Sequence, residues 1–195
     1  MDVTGVILAG SRASRTAGKP SHAFWFYNGE MMLERQLSSM RQFCKERIVV
    51  TDSPKPFLDV LDPNVRLITD FAAGNGPLGG LHAALHLSTH PVIWAVACDL
   101  PLLNSKAAEY MTHKLEGYDA VVPVLNNRLQ PWFGIYDKRC AKVASELLNH
   151  GLTSPLVFLS FIQYKPVPAF EFLEHGIDPG FLYRLSHPNE MTRPS

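Results

Sequence analysis

Apolar residues along this chain gather in short unbroken runs, and amphipathic stretches separate the runs. Val3 to Ala9 is the first, a compact block closed by Gly10 and too short for a helix, so it predicts a central strand buried on both faces. Ile48 to Thr51, Val65 to Thr69, Val92 to Cys98 and Ala120 to Val124 repeat the pattern. Between them the period changes. MLERQLSSMRQF sets Leu33, Leu37 and Met40 on one helical face, and Leu78 to Leu87 reads as a second helix. Asn104 or Ser105 is placed to cap a third helix running through Leu115, and Asp137 to cap the one after the next strand. Asn28-Gly29 and Asn126-Asn127 are turn signals. Strand and helix in alternation predict an α/β fold: a Rossmann-like, three-layer, doubly wound, mostly parallel sheet with one antiparallel hairpin near its edge. The pattern weakens after Gly151, and residues 176–195, rich in Gly and Pro, are expected to be a weakly structured tail on a single domain spanning 1–195.

Composition narrows the function classes. Of 195 residues 46% are hydrophobic and 18% charged, the formal net charge is zero, and no basic block announces nucleic acid or an anionic surface. No apolar run is long enough for a membrane helix, which needs about 20 residues. The opening MDVTGVILAG lacks the basic start of a secretory signal, so the cytoplasm is the expected location. Cys44, Cys98 and Cys140 are too few and too far apart for a disulfide framework or a paired-cysteine metal site, and are expected to be reduced and partly buried. His82 and His86 stand four apart on the predicted second helix without a third ligand nearby, which favours surface and packing over zinc. There is no GxSxG or HExxH.

Three places carry candidate chemistry. The loop after the first strand, GSRASRTAGKPSH, holds Arg12, Arg15 and Lys19 where an open α/β sheet binds its ligand. Cations and backbone N–H groups there suit a polyphosphate, and a solvated surface loop is the plain alternative. Gly74, Gly76, Gly79 and Gly80 crowd a second loop, a density that suggests close approach of backbone to a ligand or a tight connection into the helix. Asp99 ends the run WAVAC and precedes Leu100-Pro101. An ionised carboxylate closing a buried strand needs a cation or several donors, and Mg²⁺ held by one carboxylate plus substrate phosphates would satisfy it. A helix N-cap is the other reading of Asp99. Asp70 follows a strand in the same way and is equally a capping or a ligand-binding residue.

In order along the chain, GVILAG, GPLGGLHAAL, VACDLPLL and DAVVPVLNNRLQPWFGIY resemble the molybdenum cofactor guanylyltransferases, the MobA-type nucleotidyltransferases. The resemblance implies a nucleotide-diphospho-sugar transferase-like fold and transfer of GMP from GTP to molybdopterin or its molybdenum form, with Mg²⁺ and release of pyrophosphate. It implies nucleotide contacts at Leu8, Ala9, Gly10, Ser53 and Asp70 and along Gly76, Pro77, Leu78 and Gly79. Catalytic roles would fall to Arg15, Lys19, His22 and Asp99, with Asp99 holding the metal. Maturation proteins for molybdoenzymes are the implied macromolecular partners.

The chain also departs from the pattern. Ser11 replaces a second glycine, Thr16-Ala17 replaces Met-Gly, and Ser21-His22 stands where the family has Asp-Lys. An imidazole thus replaces a permanent cation, with Lys19 three residues upstream as a candidate substitute. Thr153-Ser154 replaces basic residues on the acceptor side, and the C-terminal motif is reduced to SHPNE. Two further readings follow: a catalytically impaired, nucleotide-binding paralogue acting as an accessory protein in molybdoenzyme maturation, or a related enzyme using CTP.

Overall fold

The computed structural model describes residues 2–10, 21–70 and 76–185. The apolar runs become the strands β1 (Val3–Leu8), β4 (Glu46–Thr51), β5 (Arg66–Thr69), β6 (Val92–Ala97) and β7 (Ala120–Leu125). Short pairs form β2 (Phe26–Tyr27), β3 (Glu30–Met31) and β8 (Arg128–Leu129), while β9 (Phe133–Asp137) and β10 (Tyr164–Pro168) complete the strands. The helices are α1 (Met32–Arg41), α2 (Gly76–Leu87), α3 (Ser105–His113), α4 (Ala141–Asn149), α5 (Pro155–Leu159) and α6 (Ala169–Glu174). The main sheet has the order β10-β7-β9-β6-β1-β4-β5, with β8 attached to β7. Within it β9 runs antiparallel to both β6 and β7, and the other pairs on that path are parallel.

Two apolar layers sandwich the sheet, because side chains on a strand alternate between its faces. On one face α1, α3 and α6 bury Leu33, Leu37, Met40, Ala107, Ala108, Met111 and Phe172 against Val3, Ile7, Trp94 and Val96. On the other, α2, α4 and α5 bury Leu78, Leu81, Ala84, Ala144, Leu147 and Phe158 against Val6, Leu8, Ile93 and Ala95. Both predicted turns have the positive φ that Asn tolerates: Asn28 at 51°, and Asn126 and Asn127 at 51° and 58°. The second joins β7 to β8, the expected hairpin, whereas the longer antiparallel strand β9 lies inside the sheet. Asn104, not Ser105, caps α3, accepting from the N–H groups of Lys106 and Ala107. All three cysteines are free and buried.

The region after Gly151, unassigned from the sequence, contains α5, β10 and α6. Pro166 and Pro168 lie in β10, at the sheet edge, where a strand can dispense with some of its N–H donors. Residues 176–185 pack rather than fray, with Phe181, Leu182 and Leu185 buried.

At the amino ends of the strands one carboxylate ties four segments together. Glu46 accepts hydrogen bonds from the Thr4 hydroxyl (2.7 Å), from the Thr89 N–H (2.8 Å) and hydroxyl (2.9 Å), and from the guanidinium of Arg66. Thr4 is fully buried, so losing its acceptor is costly. Glu46→Ala is expected to destabilise the fold by about 2–3 kcal/mol in urea unfolding. Nucleotide binding by the folded fraction should be unchanged, since this knot lies at the opposite end of the sheet from the site.

Candidate active site

The carboxyl ends of β5, β4, β1 and β6 stand side by side, and the segments leaving them hold most of the residues singled out above. Leu8 ends β1 buried, its carbonyl accepting from the Cys98 N–H at 3.3 Å. Ala9 donates its N–H to the Val50 carbonyl (2.8 Å), and its own carbonyl accepts from the Ser21 hydroxyl (3.1 Å). At Gly10 a Cβ would lie 3.2 Å from the backbone nitrogen of Asp52, so the chain leaves β1 pressed against the segment that follows β4. Ser53, exposed, lies just beyond β4 and donates its N–H to the Thr51 hydroxyl (3.1 Å). Asp70 is half-buried directly after β5. Arg12, Arg15, Lys19 and Gly74 lie outside the described residues.

One expectation is corrected here. The glycine-rich segment is not a loop from Gly76 onward, because α2 begins at Gly76, two residues before the expected start. Gly76 has φ +61°, which a side chain would strain, and Pro77 follows inside the first turn, where its missing N–H costs nothing. Leu78 and Gly79 are buried. Gly80 is there for packing: a Cβ would meet the Leu8 and Val50 side chains at 3.3 and 3.5 Å, so its absence seats α2 directly on β1 and β4.

Asp99 lies in the turn after β6 with its side chain only 9% exposed. It does not cap a helix; that role belongs to Asn104. Its charge is met by a cation the sequence reading missed. The guanidinium of Arg184 forks the carboxylate, with Nε at 3.2 and 3.0 Å from the two oxygens and a terminal nitrogen at 2.5 Å from Oδ2. The pairing is built into the chain path. Leu185 donates its N–H to the Asp99 carbonyl (2.9 Å) and buries its side chain beside Trp25 and Met32. Arg184 is 85 positions from Asp99, in a segment that reads as surface, so nothing local betrayed it.

Two further residues hold this turn. Gln36, fully buried on α1, donates from its amide to the Ala97 carbonyl (2.9 Å) and the Leu100 carbonyl (2.8 Å). Arg35 donates to the Pro101 carbonyl (2.7 Å). Gln36 had a legible signal: it sits three residues from Leu33 and four from Met40, a polar side chain on the apolar face of a helix.

His22 opens a 3-10 turn capped by Ser21, and its ring packs on Trp25 with centroids 4.1 Å apart. Burial lowers its pKa; the Asp99 carboxylate pulls the other way, and the Arg184 guanidinium adds to the lowering. The imidazole is therefore neutral at pH 7, unlike the lysine that the resemblance leads one to expect there. His82 is lowered as well, by burial and then by the neighbouring His86, and its Nε2 lies 2.6 Å from the Ser145 hydroxyl. A histidine whose pKa is lower in the fold contributes stability that is complete above its unfolded pKa of about 6.5 and is lost as pH falls below it. The urea midpoint should thus decline from about pH 6.5 downward. His22→Gln combined with His82→Gln should flatten that decline.

The donor chemistry suits a hard divalent cation in a restricted sense. Asp99 offers carboxylate oxygens, which such a cation prefers, but both are engaged by Arg184. Among the described residues no group of three or more His, Cys, Asp or Glu side chains forms a ready-made metal cage. Asp99 could give such a cation a single ligand only with its oxygens released from the guanidinium, the other positions falling to water or ligand oxygens.

A mostly parallel sheet with the carboxyl ends of β5, β4, β1 and β6 in a row, and a buried carboxylate just after β6, has the architecture of a nucleotidyltransferase. Molybdopterin-guanine dinucleotide biosynthesis protein A from Archaeoglobus fulgidus has this fold, with TM-score 0.79, 19% identity and coverage of 96% of this chain and 94% of that one. So does 2-C-methyl-D-erythritol 4-phosphate cytidylyltransferase from Thermus thermophilus, with TM-score 0.67, 14% identity and coverage of 97% and 95%. The family model for the MobA-like NTP transferase domain matches residues 5–160, and the chain belongs to that family. Over 179 residues, 89% of this chain and 85% of the relative, it is 36% identical to the probable molybdenum cofactor guanylyltransferase of Pelotomaculum thermopropionicum. No helix among the described residues is long and apolar enough to cross a membrane.

Proposed function

We propose that this chain is a molybdenum cofactor guanylyltransferase, transferring GMP from GTP to molybdopterin. The observation that carries the reading is Asp99: a buried carboxylate at the carboxyl end of β6, beside the turn that leaves β1, in a chain whose relatives bear that activity's name. An oxygen of the acceptor phosphate would attack the α-phosphorus of GTP, forming the new P–O bond as the bond to pyrophosphate breaks. Positioning and charge neutralisation supply most of the catalysis in such a transfer.

The chain's own residues divide that work. Leu8, Ala9 and Gly10 would form the wall against which the nucleotide lies, with Ala9 hydrogen-bonded to β4 and to Ser21. Asp70 and Ser53 would flank it from the ends of β5 and β4, and Gly76 to Gly79, in the first turn of α2, would face it. Asp99 would hold Mg²⁺, which when bound neutralises phosphate charge. Gln36 and Arg35 are positioning residues that fix the turn carrying Asp99. His22 contributes a neutral imidazole rather than a fixed charge, and Arg15 and Lys19 are the sequence's own candidates for phosphate cations.

One observation favours a second reading. Asp99 is already paired with Arg184, and His22 is neutral, as would suit a nucleotide-binding accessory protein with little turnover. Incubation with α-labelled GTP, Mg²⁺ and molybdopterin decides between them. Multiple turnovers to the labelled dinucleotide with pyrophosphate release support transfer, whereas stoichiometric GTP binding without pyrophosphate supports the accessory reading. Competition by CTP in the same assay reads the base preference.

A further inference from the structure

The proposed transfer gives Arg184 no work to do, yet the fold anchors the segment that carries it on both sides. Its neighbours are anchored on both sides: Phe181 and Leu182 are buried in the core, and Leu185 is buried beside Trp25 and hydrogen-bonded through its backbone to Asp99. The guanidinium is pre-positioned across both oxygens of the Asp99 carboxylate, while the Arg184 side chain keeps 44% of its surface exposed and so has room to turn. A bidentate arginine–carboxylate pair occupies the donor oxygens that a hard cation would use. The same guanidinium, once released, matches phosphate oxygens as well as it matches a carboxylate. His22, close enough to feel both charges, is neutral and does not supply this charge itself.

We propose that Arg184 is a phosphate-binding residue of the nucleotide site that exchanges with the metal on Asp99. In the free protein the guanidinium holds the carboxylate; when a divalent cation arrives with a nucleoside triphosphate, the carboxylate passes to the metal and the guanidinium turns to the polyphosphate. The pair thereby keeps the buried charge compensated in both states and makes metal binding weak until nucleotide is present. This rests on the reading of Asp99 as the metal-holding residue. It does not depend on which base is bound or on the acceptor.

The test is titration of the full, nucleotide-free chain with Mn²⁺, following the free ion by electron paramagnetic resonance. Arg184→Gln is expected to bind Mn²⁺ at least about tenfold more tightly than the unaltered protein, because the binding-competent fraction of Asp99 rises. Asp99→Asn should abolish the binding in both backgrounds. At saturating Mn²⁺, Arg184→Gln should then bind GTP about tenfold more weakly, and Arg184→Lys, which keeps the charge but loses the fork, should fall between. Unchanged or weaker Mn²⁺ binding by Arg184→Gln overturns the exchange, and unchanged GTP affinity at saturating metal overturns the phosphate role. Arg184→Lys carries the same comparison should the glutamine variant fail to fold. Neither measurement involves molybdopterin, so exchange in a protein that makes no dinucleotide would sink the proposed function and leave this inference standing.

Discussion

Asp99→Ala is expected to slow nucleotidyl transfer by about 10²- to 10³-fold, the usual effect of deleting one group that stabilises developing charge in a water-poor site. Steady-state release of pyrophosphate at saturating GTP reads it. The substitution should cost the fold little, because the partner left behind, Arg184, is 44% exposed and can be hydrated. The backbone bond between Leu185 and Asp99 does not need the side chain. Loss of activity with a nearly unchanged melting temperature would therefore separate chemistry from structure. Full activity in Asp99→Ala would remove the metal assignment altogether. Asp99→Asn keeps the shape and loses the charge, and should behave like alanine if charge is what matters.

Gly134→Ala should be among the most damaging single methyl additions in this protein. Gly134 and Tyr136 lie on one face of β9, and the Tyr136 ring folds back over the glycine, so an added Cβ would stand 2.6 Å from the ring. The ring has nowhere to go. It is fully buried, its centroid is 6.2 Å from that of Phe158, and its hydroxyl donates to the Pro131 carbonyl at 2.7 Å. Overpacking together with that lost buried hydrogen bond predicts destabilisation of about 3 kcal/mol. For a chain of this size that is a fall in melting temperature of roughly 6–12 °C. Tyr136→Ala should largely remove the penalty of Gly134→Ala, so a double-mutant cycle would show strong coupling. Additive effects would mean that the ring is not the obstacle.

How much of this was legible in the sequence follows from where each signal resides. β1, β6 and β7 are continuous apolar runs because both their faces are covered, and such runs read plainly. The beginning of α2 did not, because glycine weighs against helix in any local reading. Gly80 is helical for a tertiary reason, the nearness of Leu8 and Val50. β10 was hidden by its prolines, which an edge strand tolerates and a central one does not.

In the candidate site, the need of Asp99 for a cation was readable from its place at the end of an apolar run. Which cation was not, since Arg184 comes from the far end of the chain and is brought in by the burial of Leu185. Gln36 stands between these cases. Its position on a buried helical face was visible, but its acceptors lie more than sixty residues away.

The reversed direction of β9 has a consequence for how this architecture could diversify. Each parallel strand needs a whole crossover helix to bring one new loop to the working rim, whereas β9 comes back from the β7–β8 hairpin and starts at that rim. The short connection through Gln130, Pro131 and Trp132 thus stands at that rim beside β6, tied down where the Trp132 carbonyl takes the Ala97 N–H at 2.8 Å and the Pro131 carbonyl takes the Tyr136 hydroxyl. Side-chain changes at Gln130 and at the half-buried Trp132 would alter that rim while these backbone bonds hold the strands in register.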